Sequence, residues 1–180
     1  MSELWQRGEP MDIVAMMQAR EKRAHLQQAL LKNAKTATLI CATMNIPGPI
    51  KNNPLIAQTF SIMQQHVQQI TAPLQQQAPI LRNLNTGPEW FCLVNQKAPA
   101  VKRWTVELEE TTFWGRLVDL DVLVSQAGVI HTLSREAFGY PPRKCLLCPQ
   151  PAKICGRQRT HSVEKMQQQI EQLLKKGETQ

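Results

Sequence analysis

The sequence predicts an α+β (or mixed α/β) fold: a single domain with one central mixed sheet flanked by helices. Three observations carry this. Segments of helical and strand periodicity follow one another as helix, strand, helix, several strands, helix, the order of one sheet with helices packed on it. Hydrophobic residues make up 42% of the 180-residue chain, ordinary for a globular protein and too many for a disordered one. No apolar run approaches the roughly 20 residues of a membrane helix.

Residues 12–32 read as a helix with Asp12 as N-cap and an apolar side formed by Ile13, Val14, Met17, Ala24, Leu26, Leu30 and Leu31. TATLICATM (36–44) is β-branched and apolar, a buried strand. NIPGPIKNNP (45–54) carries Gly48 and three prolines and is a loop. Pro54, suited to a first helical position, opens a second helix to about Gln69. PILRNLN is a strand ending at the turn signal Asn85-Thr86-Gly87-Pro88, and EWFCLVNQ (89–96) is another. In TVELEET (105–111), Val106 and Leu108 alternate with Glu107 and Glu109, which predicts a half-buried strand with one acidic face. Gly115 permits a turn before the strand LVDLDVLV, VIHTL (129–133) follows as a strand, and Ser134 caps a short helical turn. HSVEKMQQQIEQLLKK (161–176) is a helix capped by Ser162, with Val163, Met166, Ile170, Leu173 and Leu174 on one side. The expected organisation is one domain over 1–180, in which 143–180 forms a Cys- and base-rich segment ending in that helix.

The formal net charge is +7, which fits a phosphate-rich ligand or an acidic protein. With four Trp, one Tyr and four Phe there is no basic–aromatic ladder for single strands, so no nucleic-acid partner and no membrane is expected. The polar N-terminus and an odd number of cysteines, five, point to a cytoplasmic protein without a disulfide framework.

Two of the three aspartates, Asp119 and Asp121, lie in the apolar strand LVDLDVLV. Period 2 puts them on one face about 7 Å apart. Two such carboxylates repel each other unless a cation sits between them, and Mg²⁺ bound to carboxylates and substrate phosphates answers that need. Glu107 or Glu109 is a candidate third carboxylate. Gly115 and Arg116 add close backbone approach and a guanidinium fork for phosphate. A glycine turn leading into Asp-x-Asp gives the expected fold a nucleotidyltransferase-like form. Cys145-x2-Cys148-x6-Cys155-x5-His161 has the composition of a Cys₃His structural Zn²⁺ site. Around it Arg143, Lys144, Lys153, Arg157 and Arg159 form an anion-binding cluster, and Lys51 on the Pro-Gly-Pro loop offers a further cation.

AREKR (19–23), NIPGPIK (45–51), EETTFWGRLVDLDV (109–122), LSREAFGYPPRKCLLC (133–148), Ala152-x2-Cys155 and the R-x-R-x-H-S run (157–162) form an ordered series. This series resembles the holo-citrate lyase synthase family, the apo-citrate lyase phosphoribosyl-dephospho-CoA transferases. The resemblance implies transfer of the phosphoribosyl-dephospho-CoA group from 2′-(5″-triphosphoribosyl)-3′-dephospho-CoA to a serine of the citrate lyase acyl carrier protein (γ subunit), with release of pyrophosphate. It implies Asp119 and Asp121 as ligands of Mg²⁺, and Arg116, Arg135 and Arg143 as partners of the phosphates. Glu107 or Glu109 becomes a further ligand or the base. The competing expectation is a non-enzymatic, zinc-stabilised module that binds an acidic protein.

Overall fold

The computed structural model describes residues 3–32, 34 and 36–177; residues 1–2, 33, 35 and 178–180, among them both ends of the expected 1–180 domain, lie outside the described residues. The α-helices are α1 (Ile13–Lys32), α2 (Pro54–Thr71), α3 (Ala98–Thr111), α4 (Ala152–Gln158) and α5 (Val163–Gly177). The strands are β1 (Thr38–Met44), β2 (Ile80–Leu84), β3 (Gly87–Val94), β4 (Val118–Gln126) and β5 (Val129–Thr132). They form one sheet in the order β2-β3-β1-β4-β5. Every pairing is antiparallel, so of the expected alternatives the fold is α+β.

Strand alternation sorts the core into two layers. On one face Ile40, Ala42, Trp90, Cys92, Val118, Leu120 and Val122 are buried against Phe60, Met63 and Val67 of α2 and Val101 and Leu108 of α3. On the other, Leu39, Cys41, Phe91, Leu93 and Leu123 meet Leu26, Leu30 and Leu31 of α1. A third cluster of Trp5, Ile46, Ile56, Leu117, Ile170 and Leu174 seats α5 on the loop after β1. α2 starts as its sequence dictates: Pro54 lies in the first turn, and the Ile56 N–H donates to Asn53 Oδ1 at 2.9 Å. Ser134 and Ser162 also cap, accepting from the backbone N–H groups of Ala137 and Lys165 at 3.2 and 3.3 Å.

Three expectations are corrected. Residues 105–111 are not a strand but the second half of α3, which begins in the Pro99 turn. Its buried positions Val101, Lys102, Thr105, Val106, Leu108 and Glu109 follow helical spacing. Burying Val101, Val106 and Leu108 is worth about 1.5–3 kcal/mol each. That exceeds the few tenths lost by β-branched residues in a helix. Glu107 and Glu109 therefore share no face: Glu107 is exposed and Glu109 buried. In α1, Ile13, Val14, Met17 and Ala24 point to solvent, while Ala19, Arg23, Leu26, Gln27 and Leu30 turn inward. Arg23 takes an inward position because it pairs at 2.8 Å with Glu89, a carboxylate buried on β3. α4, in the cysteine-rich segment, was not expected as a helix.

Candidate active site and metal-ligand cluster

β5 pairs with β4 only from Leu123 onward, apart from a bond of 2.8 Å from the Leu133 N–H to the Val122 carbonyl. The first half of β4 therefore has an open edge. Leu120 turns its N–H toward that edge, and Glu109 Oε1 on α3 accepts it at 2.8 Å. Along this edge runs a cleft of about 650 Å³, walled by α3, the segment after β5, and the stretch from Pro142 through α4.

Asp119 and Asp121 lie on its floor, opposite Thr43 and Cys41 in the β1 register. The Arg143 guanidinium donates to the Asp119 carboxylate and to the Gly115 carbonyl, tying the basic arm to the turn before β4. Among the described residues Asp121 forms neither an ion pair nor a hydrogen bond. Its side chain reaches solvent through the cleft mouth, yet surrounding protein and then the neighbouring Asp119 charge push its carboxyl above the ordinary value. Lys102 faces the same floor from α3; burial pulls its ammonium down, against the opposing pull of Glu109 and Asp121.

Glu109 is committed on both oxygens. Besides Leu120, it accepts from Arg135 at 3.3 Å. Burial pushes its carboxyl up, countered first by Arg143. Arg116 lines the cleft and donates to the Lys144 carbonyl at 2.6 Å. Gly115 is required by packing: a Cβ there would stand 2.6 Å from the Glu109 carbonyl carbon. The glycine thus lets the turn lie against the end of α3.

The cleft brings together Arg116, Arg135, Arg143, Asp119, Asp121 and Glu109 from the sequence-derived set. Lys51 is not among its lining residues; its ammonium donates to the Ile46 carbonyl at 2.7 Å within its own loop. Arg157 is exposed on α4 and does not line the cleft either. Lys102 lies outside the sequence-derived set because its segment carried no helical expectation that would place it about two turns from Glu109 on the same side.

The second constellation forms the cleft's far wall. The donor atoms of Cys145, Cys148, Cys155 and His161 all lie within 4.8 Å of one another. Cys145, Cys155 and His161 also line the cleft. None of the five cysteines is in a disulfide. Among the described residues this is the group of three or more His, Cys, Asp or Glu side chains placed to hold a metal ion.

One cleft along an open sheet edge thus gathers two neighbouring aspartates and several arginines. The model of the family described as apo-citrate lyase phosphoribosyl-dephospho-CoA transferase matches residues 11–177. The chain is 40% identical over 167 residues to a probable apo-citrate lyase phosphoribosyl-dephospho-CoA transferase of Streptococcus pyogenes (strain Manfredo), covering 93% of this chain and 87% of that one. It is 32% identical to the apo-citrate lyase phosphoribosyl-dephospho-CoA transferase of Escherichia coli (strain 536 / UPEC), covering 90% and 87%. It is also 34% identical to "Protein CitXG" of Leuconostoc mesenteroides subsp. cremoris, where the match spans 93% of this chain but 36% of the longer relative. The chain belongs to the apo-citrate lyase phosphoribosyl-dephospho-CoA transferase family and is a transferase enzyme. The non-enzymatic module is thereby set aside. No helix among the described residues is long and apolar enough to cross a membrane.

Proposed function

We propose that the protein attaches the phosphoribosyl-dephospho-CoA group of 2′-(5″-triphosphoribosyl)-3′-dephospho-CoA to a serine of the citrate lyase acyl carrier protein (γ subunit), in the cytoplasm, as one transferase domain over 1–180. The observation that carries this reading is the open edge of β4, where Asp119 and Asp121 face Arg116, Arg135, Arg143 and Lys102. Free cysteines throughout suit a reducing compartment.

In the reaction the carrier's serine oxygen forms a bond to the phosphorus next to the ribose. The bond from that phosphorus to the pyrophosphate oxygen breaks, and the serine proton leaves for a base. Arg116, Arg135 and Arg143 neutralise charge on the triphosphate and on the departing pyrophosphate. Glu109, with both oxygens occupied, acts as the support that fixes Arg135 rather than as the base. Glu107 faces away on α3. Asp121 is the cleft carboxylate without a hydrogen-bonding partner among the described residues, so its oxygens are open to a ligand.

Asp119 and Asp121 fit Mg²⁺: they are hard oxygen donors on one strand face, and their mutual repulsion is only half relieved by Arg143. They would hold the ion, whose chemistry there is neutralisation of phosphate charge and polarisation of the attacked phosphorus. The thiolate and imidazole set suits a structural Zn²⁺ instead.

The test is pyrophosphate release by the purified enzyme with the donor, Mg²⁺ and apo carrier protein. Wild type should release one pyrophosphate per carrier. Asp119→Asn should be slower by about 100-fold or more, the scale of losing one group that stabilises developing charge. Unchanged release in that variant would overturn the reading.

A further inference from the structure

The stretch from Gly139 to Gln150 carries Arg143, which pairs with Asp119, and Lys144, which lines the cleft, yet contains no helix or strand. Few backbone bonds hold it: at its start Gly139 N–H to the Glu136 carbonyl at 3.1 Å and Tyr140 N–H to the Arg135 carbonyl at 3.2 Å, then Cys145 N–H to the Gln150 carbonyl and Ala152 N–H to the Arg143 carbonyl, each 2.7 Å, around an isolated bridge between Lys144 and Pro151. Leu146 and Leu147 are only half-buried, and Cys145 is the one residue of 143–150 that is fully covered. Hydrophobic burial of this size does not fix a twelve-residue loop, since ordering each residue costs about 1–2 kcal/mol. Small scaffolds with this deficit use a covalent or metal staple.

The four donors have the arrangement of such a staple. Cys148 Sγ lies 3.5 Å from Cys155 Sγ and 3.3 Å from His161 Nε2. The edge of a tetrahedron around zinc is about 3.5–3.8 Å, from metal–ligand bonds of about 2.0–2.3 Å. All four donor atoms, Cys145 Sγ included, lie within 4.8 Å of one another. The ligands come from three pieces of chain: the loop, α4, and the residue pair preceding α5.

We propose that Cys145, Cys148, Cys155 and His161 bind one Zn²⁺, and that this ion clamps the loop to α4 and α5 so that Arg143 and Lys144 are held at the Asp119 edge to receive the donor's phosphates. The clamp is a positioning device: Arg143 reaches Asp119 and Gly115, and Arg116 holds the Lys144 carbonyl, so the loop's placement sets the geometry of three cations at once. Its metal half stands on the donor cluster alone. Its positioning half rests on the transferase reading.

The experiment measures metal content first, by elemental analysis of full-length protein from zinc-supplemented expression after exhaustive dialysis, with no substrate present. One zinc per chain is expected, with loss of at least tenfold in Cys148→Ser. Retention should return in Cys148→His, which restores a zinc donor and guards against simple misfolding. Zinc below about a tenth per chain, or iron in its place, overturns the proposal. The second measurement is the donor KM before and after zinc removal by a chelator. A rise of about tenfold or more, reversed by added zinc, is expected, and an unchanged KM in the zinc-free enzyme overturns the clamp. If no variant or form transfers the group to the carrier, the transferase reading fails while the metal count still decides the site.

Discussion

Glu109 Oε1 accepts the N–H of Leu120 at 2.8 Å, so a helix carboxylate occupies the place where a longer β5 would otherwise pair with β4. The same carboxylate holds Arg135 through its other oxygen. One side chain thereby closes the open edge of β4 and aims a cation into the cleft. Removing it should be felt in both stability and catalysis. Glu109→Ala leaves a buried N–H without an acceptor, which costs about 1–3 kcal/mol. Glu109→Gln keeps an acceptor for Leu120 but not the charge facing Arg135. Urea unfolding should therefore show a clearly lower midpoint for the alanine variant than for the glutamine variant, while both show a raised donor KM.

Asp121 should act on stability in the opposite direction. Its native carboxyl titrates above the ordinary 3.8 because of surrounding protein and Asp119. Between that value and the native one, the folded state binds more protons than the unfolded state, so stability falls as pH rises through the window. At neutral pH the full penalty is present. Asp121→Asn should be slightly more thermostable than wild type at pH 7, with the gain shrinking toward pH 4. The gain is small because the side chain still reaches solvent. The same variant should lose transfer activity. Thermal melts across pH, paired with activity at pH 7, check both halves.

Gly115→Ala tests the contact between the turn and α3. The added methyl would meet the Glu109 carbonyl, and backbone cannot step aside as a flexible side chain can. Overpacking of this kind costs about 1–3 kcal/mol. A lower thermal midpoint together with weaker activity is expected. A variant as stable as wild type would show that the turn can shift freely.

Cations inside and outside the cleft should separate in kinetics. Arg116→Ala, Arg135→Ala and Arg143→Ala should each raise the donor KM or lower kcat by about tenfold or more, since charge-assisted bonds are worth about 1.5–3 kcal/mol. Arg157→Ala should leave both parameters near wild type. Lys51→Met should lower stability more than it changes KM, because the ammonium serves the Ile46 carbonyl. Equal kinetic losses in both groups would mean that the donor extends beyond the cleft.

How much of this was legible in the sequence follows from physical signals of unequal strength. β1, α2, β4, β5 and α5 announced themselves through β-branched runs, Pro54 with Asn53, period-2 alternation and a strongly sided helix. α3 was misread because four residues, Val106 to Glu109, satisfy a strand's alternation. The helical spacing emerges only with Val101 and Lys102 included, and two of its inward positions, Lys102 and Glu109, are charged. In α1 the inward face likewise carries Arg23 and Gln27, so apolar counting chose Ile13, Val14 and Met17, which are exposed. α4 is seven residues with Gly156 inside it, too short for periodicity to register. Asp119 and Asp121 stood out as charges in an apolar strand and line the cleft, and the cysteine spacing marked the residues whose donor atoms the structure gathers within 4.8 Å, because ligand chemistry leaves marks that packing does not. That Lys102 would join them and Lys51 would not depended on tertiary approach alone.

The most direct test of the central claim is the intact mass of apo citrate lyase acyl carrier protein after incubation with the enzyme, 2′-(5″-triphosphoribosyl)-3′-dephospho-CoA and Mg²⁺. The expected result is a carrier heavier by one phosphoribosyl-dephospho-CoA group, attached at a single serine, with no such gain when Asp119→Asn and Asp121→Asn replace the wild type. A carrier whose mass is unchanged by the wild-type enzyme, or one modified equally well by both aspartate variants, would contradict it.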